Sequence, residues 1–234
     1  MSPATPDPPP RVTPIAPPDL RNELRAVADL VLHDDDLVED VDVAACELDD
    51  APVDGVRIRR ARLRGPAWTG ATLRGLELRD VVVEGGELSG LTLDDANLER
   101  VAFVGCRMAG LVAPALRAVD VVFDDCRLDD AWLRAATLER TAFDGCSMPR
   151  ADLYAARLTR SRLVRCDLTE IELSQAVLDD VALHGSRIPG LKGGAALRNA
   201  VIGSDQVYDV AGPVLHAANI RMDDDYLRAP EAAG

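Results

Sequence analysis

Few residues of this chain are spaced for chemistry. Its three histidines, His33, His184 and His216, lie far apart in sequence, outside any metal-ligand motif and away from any nucleophile signature, so surface histidines are expected. The five cysteines are Cys46, Cys106, Cys126, Cys146 and Cys166, and all fall in one class of a twenty-residue period. A metal needs ligands that converge on a point, whereas stacked cysteines offer a line along a wall. Neighbouring sulfurs could come near disulfide distance, but small buried apolar side chains are the better reading. Paired acids such as Asp49-Asp50, Asp94-Asp95, Asp124-Asp125, Asp129-Asp130 and Asp179-Asp180 recur as well. General acid–base work needs buried carboxyls with displaced pKa values, and these pairs are expected on solvated corners. The glycines follow neither G-x-G-x-x-G nor G-x-x-x-x-G-K spacing. No catalytic residue, cofactor-binding residue or metal ligand is assigned, and the chain is read as a non-enzyme with no cofactor.

The elements that would carry any site must be built from unusual material. Apolar residues make up 47% of the 234-residue chain but aromatic ones only 3%, so the core has to be a regular array of small and medium side chains. The net charge of −14 argues against direct binding to nucleic acid or anionic lipid and allows basic partners. No apolar run approaches the roughly 20 residues of a membrane span, and the first residues hold no secretory signal core. Reduced thiols in a cytoplasm are expected.

The array is legible as a repeat of five. From Val43 every fifth residue is large and apolar through Leu183 to Ile188, without insertion or deletion, except at Ala113 and Ala118. Two residues before each centre stands a second position, held among others by Cys46, Val56, Ala61, Ala96, Cys106, Ala151, Ser161 and Cys166. No charge occurs at either position in a chain that is 28% charged. A period of five fits neither a helix nor a plain strand. It fits a short extended piece, two side chains inward, followed by a corner. Gly55, Gly65, Gly75, Gly105 and Gly145, among others, stand two residues after a centre, where a positive φ is expected; Gly86 departs from that register. Phe103, Phe123 and Phe143 share one class of the twenty-residue period, as the cysteines share another, so four fives make one turn and like residues stack. At Ala113 and Ala118 the large partners Leu111 and Leu116 suggest a volume swap, with a local bend or widened coil as the alternative.

ADLYA (151–155), ANLER (96–100), CDLTE (166–170) and ATLRG (71–75) resemble the pentapeptide-repeat family, whose pattern is A-(D/N)-L-x-x. The resemblance covers about two thirds of the chain. It implies an all-β solenoid, a right-handed quadrilateral β-helix of pentapeptide repeats. At ~4.8 Å per coil the rod would be roughly 35 Å long.

Four segments are expected: a disordered Pro-rich tail (1–18), an N-terminal capping helix and acidic joint (19–40), the β-helix (41–190), and a C-terminal helical cap or dimerisation segment with its tail (191–234). Leu20, Leu24, Val27, Leu30 and Val31 have helical spacing, with Asp19 as N-cap, which predicts a helix over 19–33. Near the other end Val207, Val210, Ala211, Val214, Leu215 and Ala218 share one helical face, Ser204 is placed to cap it, and Pro213 is expected to kink or split it. Asn219–Met222 could add a strand. The segment either seals the last coil or forms a homodimer contact. Val207, Val210, Val214 and Leu215 are the candidate face for both, and members of the resembled family dimerise through a similar module.

What remains is surface. Trp132 and Tyr154 flank the centres Leu133 and Leu153 on the same side of adjacent coils, with Val112 and Arg134 nearby. These four form the candidate partner surface, since exposed aromatic and Arg groups mark contact sites; mutual packing is the plainer alternative. The expected function is a protein-interaction scaffold. The resemblance offers a second, since quinolone-protection members bind DNA gyrase and topoisomerase IV as DNA mimics. Between 41 and 190, however, 25 acids stand with 19 basic residues, interleaved as in Leu98-Glu99-Arg100, and Arg57 to Arg64 is distinctly basic. A third reading, an accessory or immunity factor of a biosynthetic cluster, rests on no residue.

Overall fold

Two inward side chains per five residues, with a turn between successive fives, wind the chain into a square coil that stacks on itself. The computed structural model describes residues 14–20, 23–48 and 52–220. Among the described residues all strand pairings are parallel, and through the rod the register is twenty residues: Ile58 pairs with Leu78, Leu78 with Leu98, and Thr137 with Arg157. Longer strands such as Arg57–Arg64, Glu77–Glu84, Asn97–Val104 and Arg117–Asp124 run through one corner and build two faces. The other two faces are columns of short strands and single bridges, for example Val53–Asp54, Thr72–Arg74 and Thr92–Asp94 continued by Val112, Trp132, Asp152, Glu172 and Lys192. Among the described residues the fold is therefore an all-β solenoid with one short C-terminal α-helix.

The inward positions form one continuous apolar core, from Leu32 through Leu63, Leu98, Leu133 and Leu163 to Ile188. Phe103, Phe123 and Phe143 stack face to face with centroids 5.0 and 4.7 Å apart and planes within 5°. Strict coil repetition imposes that geometry, because identical rotamers one strand spacing apart must lie parallel. Leu111, Ala113, Leu116 and Ala118 are all buried, in keeping with a volume swap between paired inward positions. Gly86 takes an inward place in the cysteine column: a Cβ there would meet the Pro66 ring one coil earlier at 3.0 Å. The corners do take positive φ, at Gly65 (55°) and Gly105 (61°) as expected. One corner does so without glycine, with Arg60, Asp80, Arg100, Asp120 and Arg140 all at φ between 48 and 56°.

The N-terminal helix expected over 19–33 does not form. Arg25–Leu32 is a strand, β1, parallel to the second half of β2 (Leu37–Leu48), with Arg25 opposite Val41 and Leu32 opposite Leu48. The first coil exposes an edge of unpaired N–H and C=O groups, and a strand satisfies them where a helix cannot. Of the expected helical face, Val27 and Leu30 pack on the core, whereas Val31 is 46% exposed and Leu32, which that face left out, is fully buried. Coil register already holds inside the acidic joint, where Leu37 pairs with Arg57. Asp19 caps no helix; its backbone N–H donates to Asp80 Oδ1 at 2.9 Å. Of the tail expected to be disordered, residues 1–13 lie outside the described residues, while 14–18 lie against the rod, with the Ala16 N–H donating to Asp120 Oδ1 at 3.1 Å. The pair Asp49-Asp50 lies outside the described residues.

At the other end a 3-10 helix, Gly194–Asn199, leads to a single 3-10 turn, Ser204–Gln206, and to helix α1, Val207–Ala217. Gln206 seals the last coil. Its buried carboxamide donates to Leu183 O at 2.7 Å and Ser186 O at 2.6 Å, carbonyls that a further coil would otherwise have met. Ser204 is not the helix cap: it opens the 3-10 turn without a side-chain cap bond, and Gln206 stands at the N-cap of α1. Nor does Pro213 split the helix, which continues through it. Pro213 removes one intrahelical donor, and its carbonyl packs on Gly194, where a Cβ would approach to 2.4 Å. No strand forms at Asn219 and Ile220, and Arg221 and Met222 lie outside the described residues. Among the described residues, no helix is long and apolar enough to cross a membrane.

Candidate partner surface

On the face built from the Val112–Trp132–Asp152 column, side chains point outward from one residue before each centre. Val112 and Trp132 bridge across successive coils, as do Trp132 and Asp152. The neighbouring outward position, one residue after each centre, holds Arg134 and, a coil later, Tyr154; the Ala135 N–H donates to Tyr154 O at 2.9 Å across the same corner. The ladder thus brings all four expected residues together. Arg134 Cζ lies 5.4 Å from the Trp132 ring centroid and 5.3 Å from that of Tyr154, so the guanidinium meets two π faces. Trp132 is 45% exposed.

Asp152, which sequence reasoning passed over as the ordinary acid of an A-D-L repeat, holds this arrangement. Its Oδ2 accepts from Arg134 Nε at 2.7 Å and its Oδ1 from the Tyr154 backbone N–H at 2.9 Å. The only signal in the sequence is the 18-residue offset between Arg134 and Asp152, which twenty-residue coils turn into a diagonal contact. Asp152 thus bonds the Arg134 side chain and the Tyr154 backbone at once. The chemistry on offer is flat apolar contact beside a positive, donor-rich centre.

The carboxylates elsewhere are largely matched coil by coil. Arg60 grips Asp40 at 2.6 and 3.0 Å, Arg100 grips Asp80 at 2.6 and 2.7 Å, and Arg140 grips Asp120 at 2.8 and 2.7 Å. On another corner Arg150 holds Asp130 with two contacts of 2.6 Å. Acids and arginines alternate from Asp40 to Arg140 in the first column and from Asp130 to Glu170 in the second. Burial opposes ionisation of Asp80, but Arg100 and the Asp19 N–H outweigh it and hold the carboxyl below its ordinary range. Arg140, against a smaller burial effect and with help from the Ala16 N–H, does the same for Asp120.

The cysteines are buried and free of disulfides. Cys126 Sγ donates to Phe103 O and Asp124 O, both at 3.4 Å, and the Ser161 hydroxyl donates to Leu138 O and Thr159 O in the equivalent way on another face. Burial pushes the Cys46 thiol up to about 12. Among the described residues no three His, Cys, Asp or Glu side chains are placed to hold a metal ion.

The face expected on the C-terminal helix is divided. Val210 is buried against the rod and Leu215 is half-buried, whereas Val207 and Val214 face outward with Tyr208, which is 93% exposed. An open cleft of about 380 Å³ lies beside Val214, lined by Leu197, Arg198 and Ala217.

Residues 96–173 match the family model described as a pentapeptide repeat region. No curated protein sequence matches the chain. Among solved structures it is similar to HetL from the cyanobacterium Nostoc sp., a pentapeptide repeat protein involved in heterocyst differentiation regulation, at a TM-score of 0.45 and 19% identity over 76% of this chain and 89% of that one. It is also similar to full-length QnrB1, a plasmid-mediated fluoroquinolone resistance protein, at a TM-score of 0.33 and 14% identity over 81% of this chain and 99% of that one.

Proposed function

We propose that this chain, a pentapeptide-repeat protein, works as a non-enzymatic interaction scaffold whose partner contact is centred on Trp132, Arg134 and Tyr154. One observation carries the reading: an exposed guanidinium is held ready between two aromatic rings by Asp152, with Val112 extending the apolar surface. Aromatic and Arg residues dominate the energetics of protein contacts, and pre-positioning lowers the entropy lost on docking. The partner would present a protein surface with an acceptor for Arg134 and an apolar patch for the rings. Affinity capture with the full chain, quantified against a Trp132→Ala/Tyr154→Ala variant, tests this. Selective loss of one or a few captured proteins is expected, and an unchanged set would end the proposal.

A second reading, mimicry of DNA toward a type II topoisomerase, draws on the net charge of −14. Its support is thinner, because the corner carboxylates Asp40, Asp80 and Asp120 alternate with arginines that pair with them. A gyrase supercoiling assay with and without the chain decides it: inhibition or relief of ciprofloxacin at micromolar protein supports mimicry, and no effect removes it.

Self-association through the C-terminal segment rests on Val207 and Val214, exposed beside Tyr208. A dimer in light scattering that Val207→Asp/Val214→Asp converts to a monomer would support this contact, and a monomeric wild-type chain would dismiss it.

A further inference from the structure

Asp80 and Asp120 stand at a corner of the rod, where side chains are expected to be solvated, yet they are only 7% and 8% exposed. Part of their cover is the segment 14–20, Pro-Ile-Ala-Pro-Pro-Asp-Leu, whose Ala16 N–H donates to Asp120 and whose Asp19 N–H donates to Asp80. The two contacts share one geometry. In each, an Asp one coil before its Arg partner uses Oδ1 to accept both the guanidinium Nε–H and a backbone N–H, while Oδ2 takes the guanidinium NH2.

The spacings on the two sides agree. Asp80 and Asp120 are two coils apart, about 9.6 Å at the usual strand spacing. Ala16 and Asp19 are three residues apart, about 9.3 Å in a polyproline II segment. Pro17 and Pro18, the residues between the two donors, have no N–H to leave unsatisfied, and their rings fix φ near the extended value the match requires. The alternation of Asp and Arg along this corner from Asp40 to Arg140 is what creates the two-coil period. This corner also carries side chains from Asp40 to Asp180 where each of the other three uses glycine at two or more levels.

We propose that the Asp80–Asp120 stretch of this corner is a binding site for extended proline-rich peptides that present a backbone N–H at every third residue, and that residues 14–20 occupy it in cis. The recognised pattern is x-Pro-Pro-x, read through the backbone. The site lies apart from the Trp132 surface and does not depend on it. Because the ligand is part of the chain, a proline-rich segment of another protein gains access only when the chain's own segment lets go.

The test uses the full chain carrying Ala16→Pro and Asp19→Pro. These substitutions keep the segment extended but remove both donors. A fluorescein-labelled peptide of residues 11–22 is titrated against this variant and against the wild type, with fluorescence anisotropy as readout. Saturable binding to the variant, at least about tenfold tighter than to the wild type whose site is already filled, is expected. The same peptide with proline at both donor positions should lose at least about tenfold in affinity. Absence of saturable binding to the variant, or equal binding of the two peptides, overturns the proposal. Amide exchange on the unmodified chain provides an independent readout. The Ala16 and Asp19 amides should exchange at least about tenfold more slowly than in the free 11–22 peptide, and equal rates would likewise overturn it.

Discussion

Arg100 grips Asp80 from the next coil with contacts of 2.6 and 2.7 Å, and both residues sit at left-handed corners of the same column. The pair links two coils through side chains where the backbone turns away from its ladder. Asp120 and Arg140 repeat it two coils later.

These carboxyls set a pH dependence. For Asp80 the cost of burial is outweighed by Arg100 and the Asp19 N–H, and for Asp120 Arg140 dominates, so both folded values are lowered. A lowered folded value means stability that is complete above the unfolded carboxyl range, about pH 4 to 5, and is lost as pH falls through the folded value. The melting temperature should hold from about pH 5 to 8 and fall below about pH 4. Asp80→Asn/Asp120→Asn should cost about 1–3 kcal/mol at neutral pH and flatten the acid limb, as read by calorimetry across pH. An acid limb as steep as that of the wild type would contradict this.

The swap of large and small side chains at one level gives a sign-specific test. Leu111 and Ala113 are both fully buried members of one frame. Leu111→Ala should cost about 2–5 kcal/mol and Ala113→Leu about 1–3 kcal/mol, whereas the double variant should cost less than their sum. Urea unfolding of the three chains measures the coupling; strict additivity would mean the two positions do not share one volume.

Gln206 stands in for a missing coil. Gln206→Ala leaves Leu183 O and Ser186 O without their donor, at about 1–3 kcal/mol for each buried group not reached by water. The effect should be local. Amide exchange should accelerate around 183–201 while protection in the central coils is kept, and a uniform loss along the rod would show that the end does not open separately.

The aromatic column should show coupling along the axis. Phe103 and Phe123 stack at 5.0 Å, so a Phe103→Leu/Phe123→Leu cycle should give about 0.5–1.5 kcal/mol of interaction energy. A cycle that closes to zero would make the stack a consequence of repetition without energy of its own.

The solenoid was readable from residue order alone because its core has only two kinds of inward position, repeated without slippage from Val43 to Ile188. Any charge there would have had to be buried, so the pattern admitted no helix or flat sheet. The proximity of Trp132 and Tyr154 followed from the same arithmetic. Three-dimensional packing decided what depends on partners remote in the chain. Val27 and Leu30 fit a helix or a strand equally well until the open edge of the first coil selects the strand, which buries Leu32 and leaves Val31 exposed. Asp152 became a positioning residue only once coil stacking set it diagonally against Arg134. The places of Ala16 and Asp19 rest on hydrogen bonds to Asp120 and Asp80, far along the chain, which no periodicity marks, whereas Gln206 continues the column of Cys166 and Ser186 and repeats toward Leu183 O the bond of Ser186 to Leu163 O.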